Sequence, residues 1–338
     1  MFAKKWLYWF HKIGQKHNNL VGKKCANLGE MTKMGLQVPP GFAISLEGFE
    51  LFIKETRIRD RIQKIFDHRG NRLEEQSSEV SEAIREIFEA TPMPPKMEKE
   101  ISKAYQELCK LTREENVSVA VRSSGVMSMP GQMDTFLNVR GAEAVIRNIR
   151  SVWASSFSQR AIVFRMQKGI PVTRAPIGVA LLKMVKARSA GVLLTVIPTS
   201  GDRSKVVIEG NWGLGEIVVA GDSTPDTFIV DKATFKCDLN LNPKQERVVF
   251  AGQGTTLEDV PVDQQNIPCL RAEEVEKLAE TGCFVEHYFG EPQDMEWAID
   301  ASLPFPDNIF WLQTRPAKWV KKEGAKEYFT DLMGSVFK

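Results

Sequence analysis

The sequence has little that would grip a nucleic acid or cross a bilayer. Lys and Arg number 45 against 43 Asp and Glu, and no basic stripe gathers them. The electrostatic footprint of a nucleic-acid binder is therefore missing, which leaves small, local anions as ligands. The five cysteines (Cys25, Cys109, Cys237, Cys269 and Cys283) stand far apart, with no C-x-x-C pair and no histidine at ligand spacing. Neither a zinc site nor a disulfide framework is supported, and reduced thiols are the expectation. The opening MFAKKWLYWFHKIG has an apolar run that breaks at His11 and Lys12, too short for a signal peptide, and no later run approaches spanning length. A soluble cytoplasmic protein with no membrane partner is expected. Internal repeats and low-complexity segments are absent as well.

The composition is that of an ordinary folded chain, with 43% hydrophobic and 26% charged residues. Its 338 residues exceed the size at which a single core stops growing, roughly 250–300 residues, so two lobes with a cleft between them are expected. The pattern is mixed α/β (α+β). Residues 1–176 read as a first lobe: a Gly-bearing loop, a short helix near Cys25, a strand after the Pro-Pro-Gly turn, and a charged helical layer over 45–112 broken at TPMPP (91–95). Residues 142–168 carry apolar side chains at near-helical spacing and predict one long amphipathic helix. From 177 to 316 short strands dominate, with one helix over about 272–289 and two final strands, QDMEWAID and IFWLQTR. Residues 317–338 are Lys-rich and read as a linker or tail.

The last two strands carry the first chemical signal. With a period of two, Asp294 and Glu296 project from one face, and on the partner strand Gln313 and Arg315 also share a face. Two adjacent carboxylates repel unless a cation sits between them, and the oxygen-only set of Asp294, Glu296 and Gln313 suits Mg²⁺. Arg315 would then face a phosphate that the metal also touches. The same spacing fits an exposed polar strand face carrying an Arg–carboxylate pair.

The second signal is VAVRSSGVMSMPGQMDTF (119–136), where a short apolar strand ends in Arg122, Ser123, Ser124 and Gly125, followed by a loop with Gly131. A planar guanidinium, hydroxyls and closely approachable backbone N–H groups suit a polyphosphate, although a turn with a structural Arg reads the same way. Lys23, just before a helix start, is a second phosphate candidate or a solvated side chain. Lys183 lies inside an apolar strand and must reach a partner or the cleft. Glu216 closes the Gly-rich EGNWGLGE, which lacks the acid spacing of a dinucleotide fingerprint, and it joins Lys183 as a candidate nucleotide contact.

Taken in order, VGKKCANLGEM, VAVRSSGVMSMPGQMDTFLNV, EGNWGLGEIVVAG, PDTFIVD, QDMEWAID and WLQTRP resemble the N-terminal nucleotide-binding domain shared by phosphoenolpyruvate synthase, pyruvate phosphate dikinase and related dikinases. The likeness runs from about residue 8 to 316. It implies an ATP-grasp fold whose two lobes clamp ATP, with Lys23, Arg122 and Arg315 as catalytic phosphate contacts. It also implies a flap over 125–135, and Glu296 and Gln313 as metal ligands with Asp294 beside them. In that family the β-phosphoryl of ATP passes to a histidine in a T-S-H-A context on a separate domain. The four histidines here, His11, His17, His68 and His287, have no such context. The resemblance therefore implies a partner subunit or domain that carries the phosphorylatable histidine and the acceptor site. The acceptor would be pyruvate or, in a phenylphosphate synthase-like split enzyme, a phenol. The products would be AMP and phosphate, and the cofactors ATP and Mg²⁺. A non-catalytic ATP-sensing protein is the alternative.

Overall fold

The computed structural model describes residues 5–69, 73–127 and 133–320. The chain divides into two units, Met1–Met184 with Ala251–Thr255, and Val185–Phe250 with Thr256–Lys338.

The first unit is built on a five-stranded sheet. Its elements are β1 (Leu7–Trp9), α1 (Asn18–Val21), α2 (Lys23–Lys33), β2 (Gly41–Ile44), α3 (Leu46–Thr56), α4 (Ile58–Arg69), α5 (Ser77–Ala90), α6 (Pro95–Thr112), β3 (Val119–Ser124), β4 (Thr135–Val139), α7 (Ala142–Ser155), α8 (Gln159–Gln167) and β5 (Gly178–Lys183). The strand order is β1-β2-β5-β3-β4, and every pairing within it is antiparallel. The helical layer over 45–112 is present as α3 to α6. The break falls at TPMPP, as expected, because Pro94 and Pro95 cannot continue α5 but suit the first turn of α6. The core lies between this layer and the sheet: Phe52 packs at a tilt against Trp153 with ring centroids 4.9 Å apart, and Phe49 meets the same indole edge-on at 5.9 Å.

The long helix expected over 142–168 is instead two helices, α7 and α8. The reason is a run of serines. Ser155 and Ser156 turn their hydroxyls back onto the Val152 and Trp153 carbonyls, at 2.8 and 2.7 Å. Ser158 then caps α8 by accepting from the Ala161 N–H at 3.2 Å. The strand IGVALLK also differs from expectation. It is β5, and it pairs with β2 and β3 in the first unit, so the division falls after Met184 rather than at 176/177. Burial on both faces of β5 makes it a central strand of the sheet whose core it shares.

The second unit contains β6 (Ala187–Leu194), β7 (Lys205–Trp212), α9 (Glu216–Ala220), β8 (Asp226–Asp231), β9 (Cys237–Asn240), β10 (Glu246–Phe250), β11 (Thr255–Asp259), α10 (Val262–Gln265), α11 (Ala272–Phe289), β12 (Gln293–Asp300) and β13 (Ile309–Pro316). Six strands form one antiparallel sheet in the order β13-β12-β6-β7-β8-β9. Helix α11 covers one face. Its buried Val275, Leu278, Ala279, Gly282 and Val285 follow helical spacing, and the Leu193 side chain would meet a Cβ at Gly282. On that face Trp297 is fully buried over Gly210 and donates its indole N–H to the Val192 carbonyl at 3.1 Å. Residues 317–320, expected to begin the tail, are tied to this unit: the Ala317 N–H donates to Pro292 O at 2.8 Å and the Val320 N–H to Pro198 O at 2.9 Å. The rest of the expected tail, 321–338, lies outside the described residues. Among the described residues no helix is long and apolar enough to cross a membrane.

Candidate functional site

In the first unit, the end of β3 meets the start of α2. The Lys23 N–H donates to the Gly125 carbonyl at 2.9 Å, and the Cys25 N–H donates to Ser124 Oγ at 3.1 Å. The turn that permits this is Gly22, at φ 77° and ψ 162°, a region open essentially only to glycine. A Cβ there would strike the Ser124 carbonyl oxygen. The exposed Lys23 therefore stands at the positive end of an 11-residue helix beside the strand that carries Arg122. Arg122 and Ser124 share one face of β3, the face that α2 docks against. Burial pushes the Cys25 thiol up to about 12, against smaller pulls from Ser124, Lys24 and Arg122. The thiol is thus a buried packing group.

Two of the residues marked in the sequence lie apart from this junction. Ser123 projects from the opposite face of β3 and is buried, so Ser124 is the serine on the Arg122 side. Lys183 lies at the other end of β5, opposite Val119, and finds its partner in Glu114 at 2.6 Å. Gly131 and the middle of the expected flap, 128–132, lie outside the described residues.

Gly22→Ala follows as a prediction. The backbone must leave its glycine-only conformation, at about 1–3 kcal/mol, and α2 must lift from β3. Nucleotide affinity is expected to fall about tenfold or more, read by calorimetric titration; unchanged affinity would show that the α2–β3 junction does not hold the phosphate donors.

In the second unit, the β12–β13 register sets Asp294 opposite Arg315 and Glu296 opposite Gln313. All four therefore share the face that α11 does not cover. A bulge after Glu296 shifts the register toward Trp297 and Trp311, so the polar pairs end where the apolar part of the strands begins. Arg315 donates from Nε to Asp294 Oδ2 at 2.8 Å, and its Nη2 lies 2.8 Å from the same oxygen. Burial raises the Asp294 carboxyl above its usual range, with Arg315 pulling it down and Glu296 adding to the rise. Gln313 is almost fully buried. The two carboxylates and one amide oxygen form an oxygen-only set with the chemistry of a hard cation's ligands. Among the described residues no group of three or more His, Cys, Asp or Glu is arranged to hold a metal, so the Gln313 amide and non-protein oxygens would have to complete any such shell.

Glu216 stands exposed at the first position of α9, which packs on β6, β7 and β10. The preceding Gly215 lies against Ala190, on the same sheet face as Glu296. Two further groups were not picked out from the sequence. Asp226 of PDTFIVD is fully buried against the equally buried Lys244, Nζ to Oδ1 at 2.7 Å. Glu209, the first residue of EGNWGLGE, sits half-buried in the same cross-strand row as Glu296. A charge following the apolar run VVI was the available signal for Glu209, much as a charge inside an apolar strand marked Lys183.

Comparison with known proteins bears on this arrangement. Residues 18–334 match the family described as "Pyruvate phosphate dikinase, AMP/ATP-binding domain". The chain is 38% identical to the probable phosphoenolpyruvate synthase of Staphylothermus marinus over 96% of its own length and 43% of the relative's. It is 38% identical to the phosphoenolpyruvate synthase of Aeropyrum pernix over 95% and 43%, and 36% identical to the probable phosphoenolpyruvate synthase of Methanocaldococcus jannaschii over 96% and 27%. It spans less than half the length of each of these relatives.

Proposed function

Because the chain belongs to the family of pyruvate phosphate dikinase AMP/ATP-binding domains, we propose that it is the ATP-binding part of a dikinase-type phosphotransferase. The antiparallel sheets with their helical layers are ATP-grasp-like, as the family implies. The observation that carries the reading is the β12–β13 register, which sets two carboxylates, an amide and an arginine on one face. In this reading Lys23, Arg122 and Arg315 contact the phosphates of ATP; Ser123, Lys183, Glu216 and Gly131 are secondary candidates for contacts with the nucleotide. Glu296 and Gln313, with Asp294 beside them, would hold Mg²⁺, which when bound neutralises charge on the phosphate oxygens.

The chemistry begins outside this chain, at a histidine on a partner domain or subunit. An imidazole nitrogen attacks the β-phosphorus in line, and the bond to AMP breaks. Water then takes the γ-phosphoryl as inorganic phosphate, leaving phosphohistidine to serve the acceptor. The residues of this chain position the triphosphate and stabilise the charge that moves onto AMP and the equatorial oxygens. Histidine suits the nucleophile because its neutral form is abundant at physiological pH. His11 and His68 are exposed, and neither they nor His17 and His287 lie on β3, β12 or β13. The relatives' names favour pyruvate over a phenol as the acceptor.

Calorimetric titration with ATP and Mg²⁺, followed by nucleotide analysis with and without a histidine-bearing dikinase domain, tests the proposal. ATP binding by the chain alone, with AMP formed only when the second domain is present, is the expected result. AMP or ADP made by the chain alone would place an acceptor within it, and ATP binding without AMP in either mixture would favour the sensor.

A further inference from the structure

The sheet of the second unit aligns one cross-strand row as Gln313, Glu296, Val192, Glu209 and Thr227. Opposed residues in an antiparallel ladder project from the same face, so Glu209 shares the Glu296 face two strands away, at about 9.5 Å by the spacing of strands. Toward Glu296 its neighbours are apolar: Val192 separates the two carboxylates, and Leu194 and Val207 continue the band in the adjacent row, while Thr227 stands on its other side. Among the described residues Glu209 has no ion-pair or hydrogen-bond partner, and burial alone raises its carboxyl above the usual range. Lys205, farther along the same face of β7, is already bound to Asp231 at 2.8 Å.

A half-buried carboxylate with no partner is a cost to the fold, and its position on the site face points to a ligand that supplies donors. It stands too far from Glu296 to share an ion directly, and its charge would repel phosphate. Neutral hydroxyls are the fitting donors. A carboxylate accepts two at once, and a vicinal diol offers two side by side. We propose that Glu209 reads the 2′- and 3′-hydroxyls of the ribose, which makes this site selective for ribonucleotides. The inference rests on the nucleotide reading above. The row then follows the order of the ligand: phosphates at Glu296, Gln313 and Arg315, the sugar at Glu209, and apolar contact from Val192, Leu194 and Val207 between and beside them.

The test is titration of the full chain, in Mg²⁺, with ATP, 2′-deoxy-ATP, 3′-deoxy-ATP and inorganic triphosphate, repeated on Glu209→Gln and Glu209→Ala. Hydrogen bonds to a charged acceptor are worth roughly 10- to 100-fold in affinity. The wild-type chain is expected to bind ATP tighter than either deoxynucleotide by that factor. In Glu209→Ala, ATP affinity should fall to the deoxynucleotide level. Glu209→Gln is the control for folding. A carboxyl raised in the folded state opposes folding above that raised value and ceases to do so below its unfolded value. The Gln variant should therefore melt higher at neutral pH, with the gain fading as the pH drops through the carboxylate range. Discrimination in Glu209→Ala equal to that of wild type overturns the ribose assignment. So does a wild-type chain that binds inorganic triphosphate and all three nucleotides alike. A wild-type chain that binds neither triphosphate nor any nucleotide overturns the nucleotide site itself, and the ribose assignment with it.

Discussion

Glu296→Gln is expected to lower phosphoryl transfer from MgATP about 100-fold or more with no loss of thermal stability. Glu296 lies at a half-buried position on the site face of β12, opposite Gln313. Gln fills the same volume, so β12 can keep its pairing to β6 and β13. The change removes one of two carboxylates from the proposed cation site, and a neutral amide is a weaker ligand for a hard divalent ion. Transfer is measured as AMP release in the presence of a histidine-bearing domain, with circular dichroism to follow the fold. Arg122→Ala should act through the first unit in the same direction, because it removes a guanidinium fork that no other side chain on the α2 face of β3 replaces. Wild-type rates in both variants would remove these residues from the site.

A larger effect on folding is expected at Asp226, which lies opposite Gly210 on the α11 face of the sheet, away from the proposed site face. Asp226 and Lys244 are both fully buried and joined at 2.7 Å. The remaining capacity of the carboxylate is filled by the Cys269 N–H at 2.9 Å and the Asn242 N–H at 3.2 Å. Lys244 also donates to the Asn242 carbonyl at 2.9 Å. The pair thus ties β8 to the loop before β10 and to the segment leading into α11. Asp226→Asn keeps the shape but leaves an ammonium group buried without its counter-charge, which is expected to cost about 3–5 kcal/mol of stability. Chemical denaturation measures the loss. Adding Lys244→Met should recover most of it, because an apolar side chain of similar length has no charge to leave unpaired. A single variant as stable as wild type would show that water reaches this pair.

The two features proposed to face the phosphates were legible in the sequence because they depend on local periodicity. Strand alternation alone put Asp294 with Glu296 and Gln313 with Arg315, and the register then brought the two pairs opposite each other. The α11 and β12–β13 boundaries were similarly legible, since Gly290 and the Pro-containing connection at 301–308 punctuate them strongly. Other features depended on relations that one stretch of sequence does not contain. Only the pairing of β5 with β2 and β3 moved IGVALLK into the first unit. Only the docking of α2 on β3 showed that the face shared by Arg122 and Ser124, and not that of Ser123, meets α2, and only proximity in space gave Lys183 to Glu114.

Glu209 and the Asp226–Lys244 pair were decided by tertiary structure for the same reason. A charged residue in an apolar strand advertises that something must compensate it, but the compensating group lies on another strand, another loop or a ligand. The sequence by itself determined which side chains share a strand or helix face, because backbone geometry makes that a local property. Tertiary structure decided which faces meet and which buried charges are paired, because burial and pairing arise only when distant segments exclude water together.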